Sequence, residues 1–124
     1  MEAVILDTNI LIEILKGETR TVYAVEELSG ELFVSSITAM ELYYGALNKA
    51  ETVKIEKFLN HFTILYPDAT ISRRAMELVK RYAKSHTLNI PDSIIAATAL
   101  VSGYPLMTYN RKDFRFIDGV ELVG

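Results

Sequence analysis

Three carboxylates, Asp7, Glu41 and Asp92, have the first claim to chemistry. Asp7 ends the apolar run Val4-Ile5-Leu6 and is followed by the small polar pair Thr8-Asn9. Glu41 lies in a helical stretch where the residue one turn on is Gly45, which leaves room beside it. Asp92 is the only charge on a helix otherwise built for burial. A polar segment, Thr108-Tyr109-Asn110-Arg111-Lys112-Asp113-Phe114, follows the last long apolar run. Carboxylates gathered within a few ångströms repel one another, and burial raises their pKa values. They then share protons or accept a cation. Oxygen donors without His or Cys nearby favour Mg²⁺ or Mn²⁺. Such a site holds a phosphate and polarises water for in-line attack.

Each group also has a purely structural explanation. Asp7 or Thr8 would cap a helix. Thr38 with Glu41 fits a capping box. Asp92 is an acid in a first helical turn, where the dipole favours it. Asp113 would cap a turn. The functional reading gains from their common placement at strand ends and helix starts, which a parallel sheet gathers along one edge.

The elements that must position these groups follow from pattern. Ala3 to Asp7 reads as a buried strand, and Asn9 to Lys16 as a short helix closed by Gly17. Glu18 to Ser29 reads as a helix closed by Gly30, and Glu31 to Ser36 as a second strand. Two helices are expected over Thr38 to Ala50 and Glu51 to Phe62, with a third strand at Ile64-Leu65-Tyr66. Thr70 to Ser85 is strongly amphipathic, with Ile71, Ala75, Leu78 and Tyr82 as its apolar stripe. Asn89-Ile90-Pro91-Asp92 opens a helix that runs to about Ser102 and stops at Gly103. Strands at Pro105 to Thr108 and Val120 to Val123 complete the chain. Helices alternating with strands predict a three-layer α/β/α sandwich around a mainly parallel sheet of 4–5 strands. Short connections and the absence of a linker predict one domain over residues 1–124.

Half of the residues are hydrophobic, enough for a core without staples. There are no cysteines, which excludes disulfides, thiolate metal sites and thiol nucleophiles. A formal net charge of -3 excludes binding to nucleic acid by bulk positive charge. No apolar run has the length of a membrane span, and the N-terminus lacks the features of a signal peptide, so a cytoplasmic protein is expected.

The motifs Leu6-Asp7-Thr8-Asn9, Glu41-Leu42 with Gly45, Asp92 with Ile95-Ala96-Ala97, and Thr108 with Asn110 and Asp113-Phe114 resemble those of PIN-domain ribonucleases. Their order and the chain length are similar to those of VapC-type toxins of toxin–antitoxin pairs. The resemblance implies a PIN-like fold and a Mg²⁺- or Mn²⁺-dependent endoribonuclease. Its metal ligands would be Asp7, Glu41 and Asp92. Products would carry a 5′-phosphate and a 3′-hydroxyl. The family often has a fourth acid at the position of Asn110, so a second tightly bound ion is less well supplied here; Asp113 is placed to share that role. Thr8, Asn9 and Thr108 match small polar residues that orient the ligands or the attacking water. Arg111 and Lys112 flank the site in sequence and are candidates for the RNA backbone. A small antitoxin and a homodimer are the partners implied.

Two other readings stand beside this one. His61 and His86 would serve a metal-free ribonuclease as general acid and base. Alternatively, the acids are caps and the chain is a non-catalytic binding module.

Overall fold

Val4, Ile5 and Leu6 are all buried in the first strand, β1 (Val4–Leu6), as a run apolar on both faces requires. Alternate side chains of a strand point to opposite faces. Val4 and Leu6 accordingly enter one apolar cluster and Ile5 the other. Phe33 and Val34 divide in the same way on β2 (Leu32–Ser35), as do Leu106 and Met107 on β4 (Leu106–Met107). With β3 (Thr63–Leu65) and β5 (Leu122–Val123) these form one five-stranded parallel sheet of order β3-β2-β1-β4-β5. This computed structural model describes residues 2–123. The two end residues of the unit expected over 1–124 lie outside the described residues.

Helices cover both faces, giving the predicted α/β/α sandwich. α1 (Thr8–Leu15), α2 (Thr19–Glu26), α3 (Ser36–Tyr44) and α4 (Lys49–Leu59) pack through Ile10, Leu11, Val25, Leu42, Ile55 and Leu59 on one side. α5 (Ala69–His86) and α6 (Ile90–Ser102) pack on the other, and the stripe Ile71, Ala75, Leu78 and Tyr82 is buried as its spacing predicts. Asn89 caps α6, Pro91 sits in its first turn, and Gly103 ends it with φ +76°.

Several boundaries differ from expectation, each for a local reason. α3 begins at Ser36, because Ser35 caps it by accepting from the Ile37 N–H at 3.1 Å. Thr38 is therefore not a cap; it is fully buried inside the helix. α3 stops at Tyr44 rather than running to Ala50. Asn48 starts the next helix by accepting from the Glu51 N–H at 2.9 Å, and Glu51 returns a carboxylate oxygen to the Leu47 N–H at 3.0 Å. That exchange resembles a capping box, one turn before the predicted start. α2 ends at Glu26, not Ser29. Gly30 closes no helix; a Cβ there would fall 1.0 Å from the Glu2 carbonyl oxygen, so the position serves a close passage of two backbone segments.

Candidate active site

Parallel strands deliver their C-terminal ends to one edge. Leu6 pairs with Met107, and the Asp7 N–H extends that ladder by donating to the Met107 carbonyl at 3.0 Å. Asp7 and Thr108 thus emerge side by side, although 101 residues separate them in the chain. Asp7 is 4% exposed, and its carboxylate is held at both oxygens. Oδ1 accepts from the Thr8 N–H at 2.8 Å. Oδ2 accepts from the Thr108 hydroxyl at 2.7 Å and from Asn9 Nδ2 at 3.0 Å. Asp7 is therefore both the cap of α1 and a fixed acceptor at the sheet edge; the two readings are compatible.

Thr108 has no proton to spare. Its hydroxyl gives one to Asp7 and accepts from Asn9 Nδ2 at 3.3 Å and the Asn110 N–H at 3.0 Å. A hydroxyl so engaged fixes a carboxylate and cannot also activate water. Thr8 plays a similar part toward Glu41. Its hydroxyl donates to Glu41 Oε1 at 2.7 Å and lies 3.0 Å from the Thr38 hydroxyl. Adjacent residues of α1 thus orient the acids of two different elements.

Asp92 completes the cluster electrostatically. Burial is the first cause that pushes its carboxyl up to about 7, followed by the charges of Asp7, Asp113 and Glu41. Burial likewise raises Asp7 above the usual carboxylate range, and the charge of Glu41 adds to it, despite the hydrogen bonds that oppose the shift. The one ion pair among the described residues, Arg81 with Asp118, is exposed and involves none of these acids. The cluster therefore carries negative charge that no basic side chain pairs with at close range.

Among the described residues, no three His, Asp or Glu side chains are gathered closely enough to enclose a metal ion by themselves. Mg²⁺ does not require such a cage. It retains several waters and is held through one or two carboxylates. The oxygen-only donors and the unpaired charge fit a hydrated hard cation, which Asp7 and Asp92 would anchor with Glu41 beside them.

The remaining candidates are placed as follows. Asn9 links Asp7, Thr108 and the Tyr109 N–H, the last at 3.1 Å from its Oδ1. Asn110 is exposed and opens the 3₁₀ turn Arg111–Asp113. Asp113 is half-buried within reach of the charge on Asp92. Arg111 and Lys112 are exposed, and an Arg111 guanidinium nitrogen donates to the Val123 carbonyl at 3.4 Å. Lys16 and Lys54 instead line a cavity of about 450 Å³ with Glu41, Gly45 and the apolar Ile12 and Ile55. The space expected beside Glu41 is thus present. Tyr43 and Tyr44 are exposed, at 37% and 94%, so core packing does not explain them.

The histidines stand apart from the acids. His61 Nδ1 lies 3.0 Å from the Phe58 carbonyl oxygen, and His86 stacks on Phe116 with Nδ1 2.8 Å from Ser85 Oγ. Neither is among the groups that act on Asp7 or Asp92. The pattern also hid the part played by two helical residues, Thr38 and Thr21. A hydroxyl inside a helix carries no periodic signal, and its partner comes from a distant segment.

The PIN domain family matches residues 4–120 of this sequence. The chain belongs to the PIN-domain family. Within it, the protein is similar to "Ribonuclease VapC1" of Rickettsia felis, at 32% identity over 96% of this chain and 93% of the relative. Among solved structures, this PIN domain resembles a chain of a toxin–antitoxin complex from Klebsiella pneumoniae, with 33% identity, a TM-score of 0.81 and 94% of each chain covered. It also resembles a chain of VapBC2 from Rickettsia felis bound to a DNA fragment from their promoter, with 26% identity and a TM-score of 0.83 over 98% of this chain and 97% of that one. Among the described residues, no helix of the PIN domain is long and apolar enough to cross a membrane.

Proposed function

We propose that this PIN domain is a VapC-type endoribonuclease, the toxin of a toxin–antitoxin pair, and that it hydrolyses RNA phosphodiester bonds with Mg²⁺ or Mn²⁺. The observation that carries the reading is the pair Asp7 and Asp92, both raised by burial, with the charge of Glu41 acting on both and that of Asp113 on Asp92, and with no ion pair to these acids among the described residues. A bound Mg²⁺ or Mn²⁺ would supply Lewis-acid stabilisation of the scissile phosphate and a lowered pKa for the attacking water. The chain's own residues do the rest. Thr108, Asn9 and the Thr8 N–H hold the Asp7 carboxylate in one orientation. The Thr8 hydroxyl holds Glu41. Asp92, whose carboxyl burial and the neighbouring acids push up to about 7 in the metal-free protein, would give up its proton to anchor the cation beside Asp7. Asn110 adds a neutral oxygen where an acid would add charge, which favours a single tightly held ion.

Two kinds of partner belong to the reading. The cavity between α1, α3 and α4, with Ile12, Leu15 and Ile55 in its wall, is a groove for an amphipathic helix of a small antitoxin. It opens beside Glu41, so a basic side chain of the antitoxin would reach the acids there. A homodimer would use the apolar groove between α5 and α6, where Met76 and Ile90 are exposed. Action in the cytoplasm follows from an RNA substrate.

The test is incubation of purified protein with total RNA and Mn²⁺, with and without EDTA, beside Asp7→Asn. Cleavage should stop with chelator and fall by at least ~100-fold in the variant, which loses one charge at the centre of the site. Product ends should be 5′-phosphates. Cleavage that survives EDTA and leaves 2′,3′-cyclic phosphates would sink the proposal.

A further inference from the structure

Tyr109 stands between Thr108 and Asn110, and hydrolysis at the acidic cluster gives it no task. Its side chain is 42% exposed, yet its polar groups are tied down. The backbone N–H donates to Asn9 Oδ1 at 3.1 Å. The hydroxyl lies 2.7 Å from Oγ1 of Thr21, a fully buried residue of α2. Thr21 donates in turn to Glu13 Oε1 at 3.3 Å. A threonine hydroxyl has one proton, so the proton between Thr21 and Tyr109 belongs to the tyrosine.

The spacing of the holders explains the arrangement. Asn9 and Glu13 are four residues apart on α1, one turn along the same face, with a rise of ~5.4 Å. Tyr109 spans that turn. Its backbone end is held by Asn9 and its hydroxyl end by Glu13 through Thr21. The Arg20 guanidinium lies 5.9 Å from the ring centroid and adds a third hold, also from α2. Asn9 meanwhile contacts Asp7 and Thr108 through Nδ2. Movement of the Tyr109 backbone would shift Thr108, whose hydroxyl reaches Asp7 at 2.7 Å.

We propose that Tyr109 is a positioning residue: its hydroxyl, anchored on Thr21, fixes the Thr108–Asn110 turn against α1 and keeps the Thr108 hydroxyl on the Asp7 carboxylate. α2 contributes nothing to the acidic cluster and sets its geometry through this strut. The catalytic half of the proposal rests on the ribonuclease reading.

Tyr109→Phe retains the ring and removes the hydroxyl. With an RNA oligonucleotide and Mn²⁺, its kcat should fall about ten-fold with KM within about two-fold, the effect of one lost positioning contact. Thr21→Val should do the same, and the double variant should be no slower than the slower single one. Amide hydrogen exchange of the metal-free protein gives a readout independent of activity. The Tyr109 amide should exchange about ten-fold faster in both single variants, while amides within α5 remain unchanged. Wild-type kcat and unchanged Tyr109 protection in Tyr109→Phe would overturn the proposal. So would full additivity in the double variant, or a rise in KM alone, which marks a base-stacking role instead. A wild-type protein inert on RNA would count against the ribonuclease reading, while the exchange rates would still decide whether the hydroxyl holds the turn.

Discussion

Asp92 sits half-buried at the first turn of α6, where the helix dipole favours its charge and the neighbouring acids oppose it. Burial decides the balance and the neighbouring acids add to it, because the carboxyl is pushed from 3.8 up to about 7. The folded protein then binds more protons than the unfolded chain between these values. The resulting stability is fully present below about pH 4 and is lost as pH rises through 7. Metal-free protein in EDTA should therefore unfold at lower urea concentration at pH 8 than at pH 5. Asp92→Asn should flatten most of that dependence and stabilise the protein at pH 8. For a dry group the effect would approach ~4 kcal/mol; partial exposure of Asp92 screens it to about 1–2 kcal/mol. A metal-free protein that gains stability between pH 5 and pH 8 would refute the raised Asp92 carboxyl. Sequence reading reaches this residue because a lone acid in Ile90–Ser102 contradicts its surroundings. It does not reach Thr38 or Thr21, whose hydroxyls matter only through Thr8 and Tyr109.

At the scale of elements, what was legible is what depends on period. The stripe of α5 and the continuous apolar character of β1 identify both elements and the faces they bury. Helix starts were less legible where two capping residues compete, as Ser35 and Thr38 do before α3 and Asn48 does before α4. The shortest strands, β4 and β5, have two residues each, too few for alternation to show. The segment after β4 is held by a different device. Phe114 is fully buried against the cluster containing Ile5 and Leu106, and its N–H closes the 3₁₀ turn on the Arg111 carbonyl at 3.0 Å. It fastens the far end of the stretch that begins at Thr108. Phe114→Ala should lower unfolding stability by about 3–5 kcal/mol, the loss of a buried ring with the cavity it leaves. Phe114→Leu should lose less than half as much and retain most RNA cleavage. Chemical denaturation checks the first, and an activity assay below the melting point checks the second. A loss under 1 kcal/mol in Phe114→Ala, a surface-like value, would show that the ring does not anchor the turn.

At the scale of the whole molecule, the parallel sheet turns separate acids into one electrostatic unit. β1 and β4 are central neighbours, and every strand points the same way. Loops that are distant in sequence therefore meet at one edge, and the cost of their mutual charge falls on the stability of the entire fold. A divalent cation bound there reverses that cost, because it favours the ionised carboxylates that the metal-free protein disfavours. Stability and metal binding are then linked. At metal near 100 times its Kd the gain is about 2.7 kcal/mol, or roughly 10 °C in melting temperature for a domain of this size. The gain should be large at pH 8, where Asp92 is ionised. It should shrink at pH 5, where Asp92 carries a proton that the metal must displace. The order of stability with pH should therefore invert: pH 5 above pH 8 in EDTA, and pH 8 at or above pH 5 with saturating Mn²⁺. Thermal unfolding at both pH values, with Mn²⁺ and with EDTA, measures the four states needed. Asp7→Asn should abolish the Mn²⁺ shift at both. An equal shift at pH 5 and pH 8, or one that persists in Asp7→Asn, would place the bound ion elsewhere on the protein and detach the acidic cluster from metal binding.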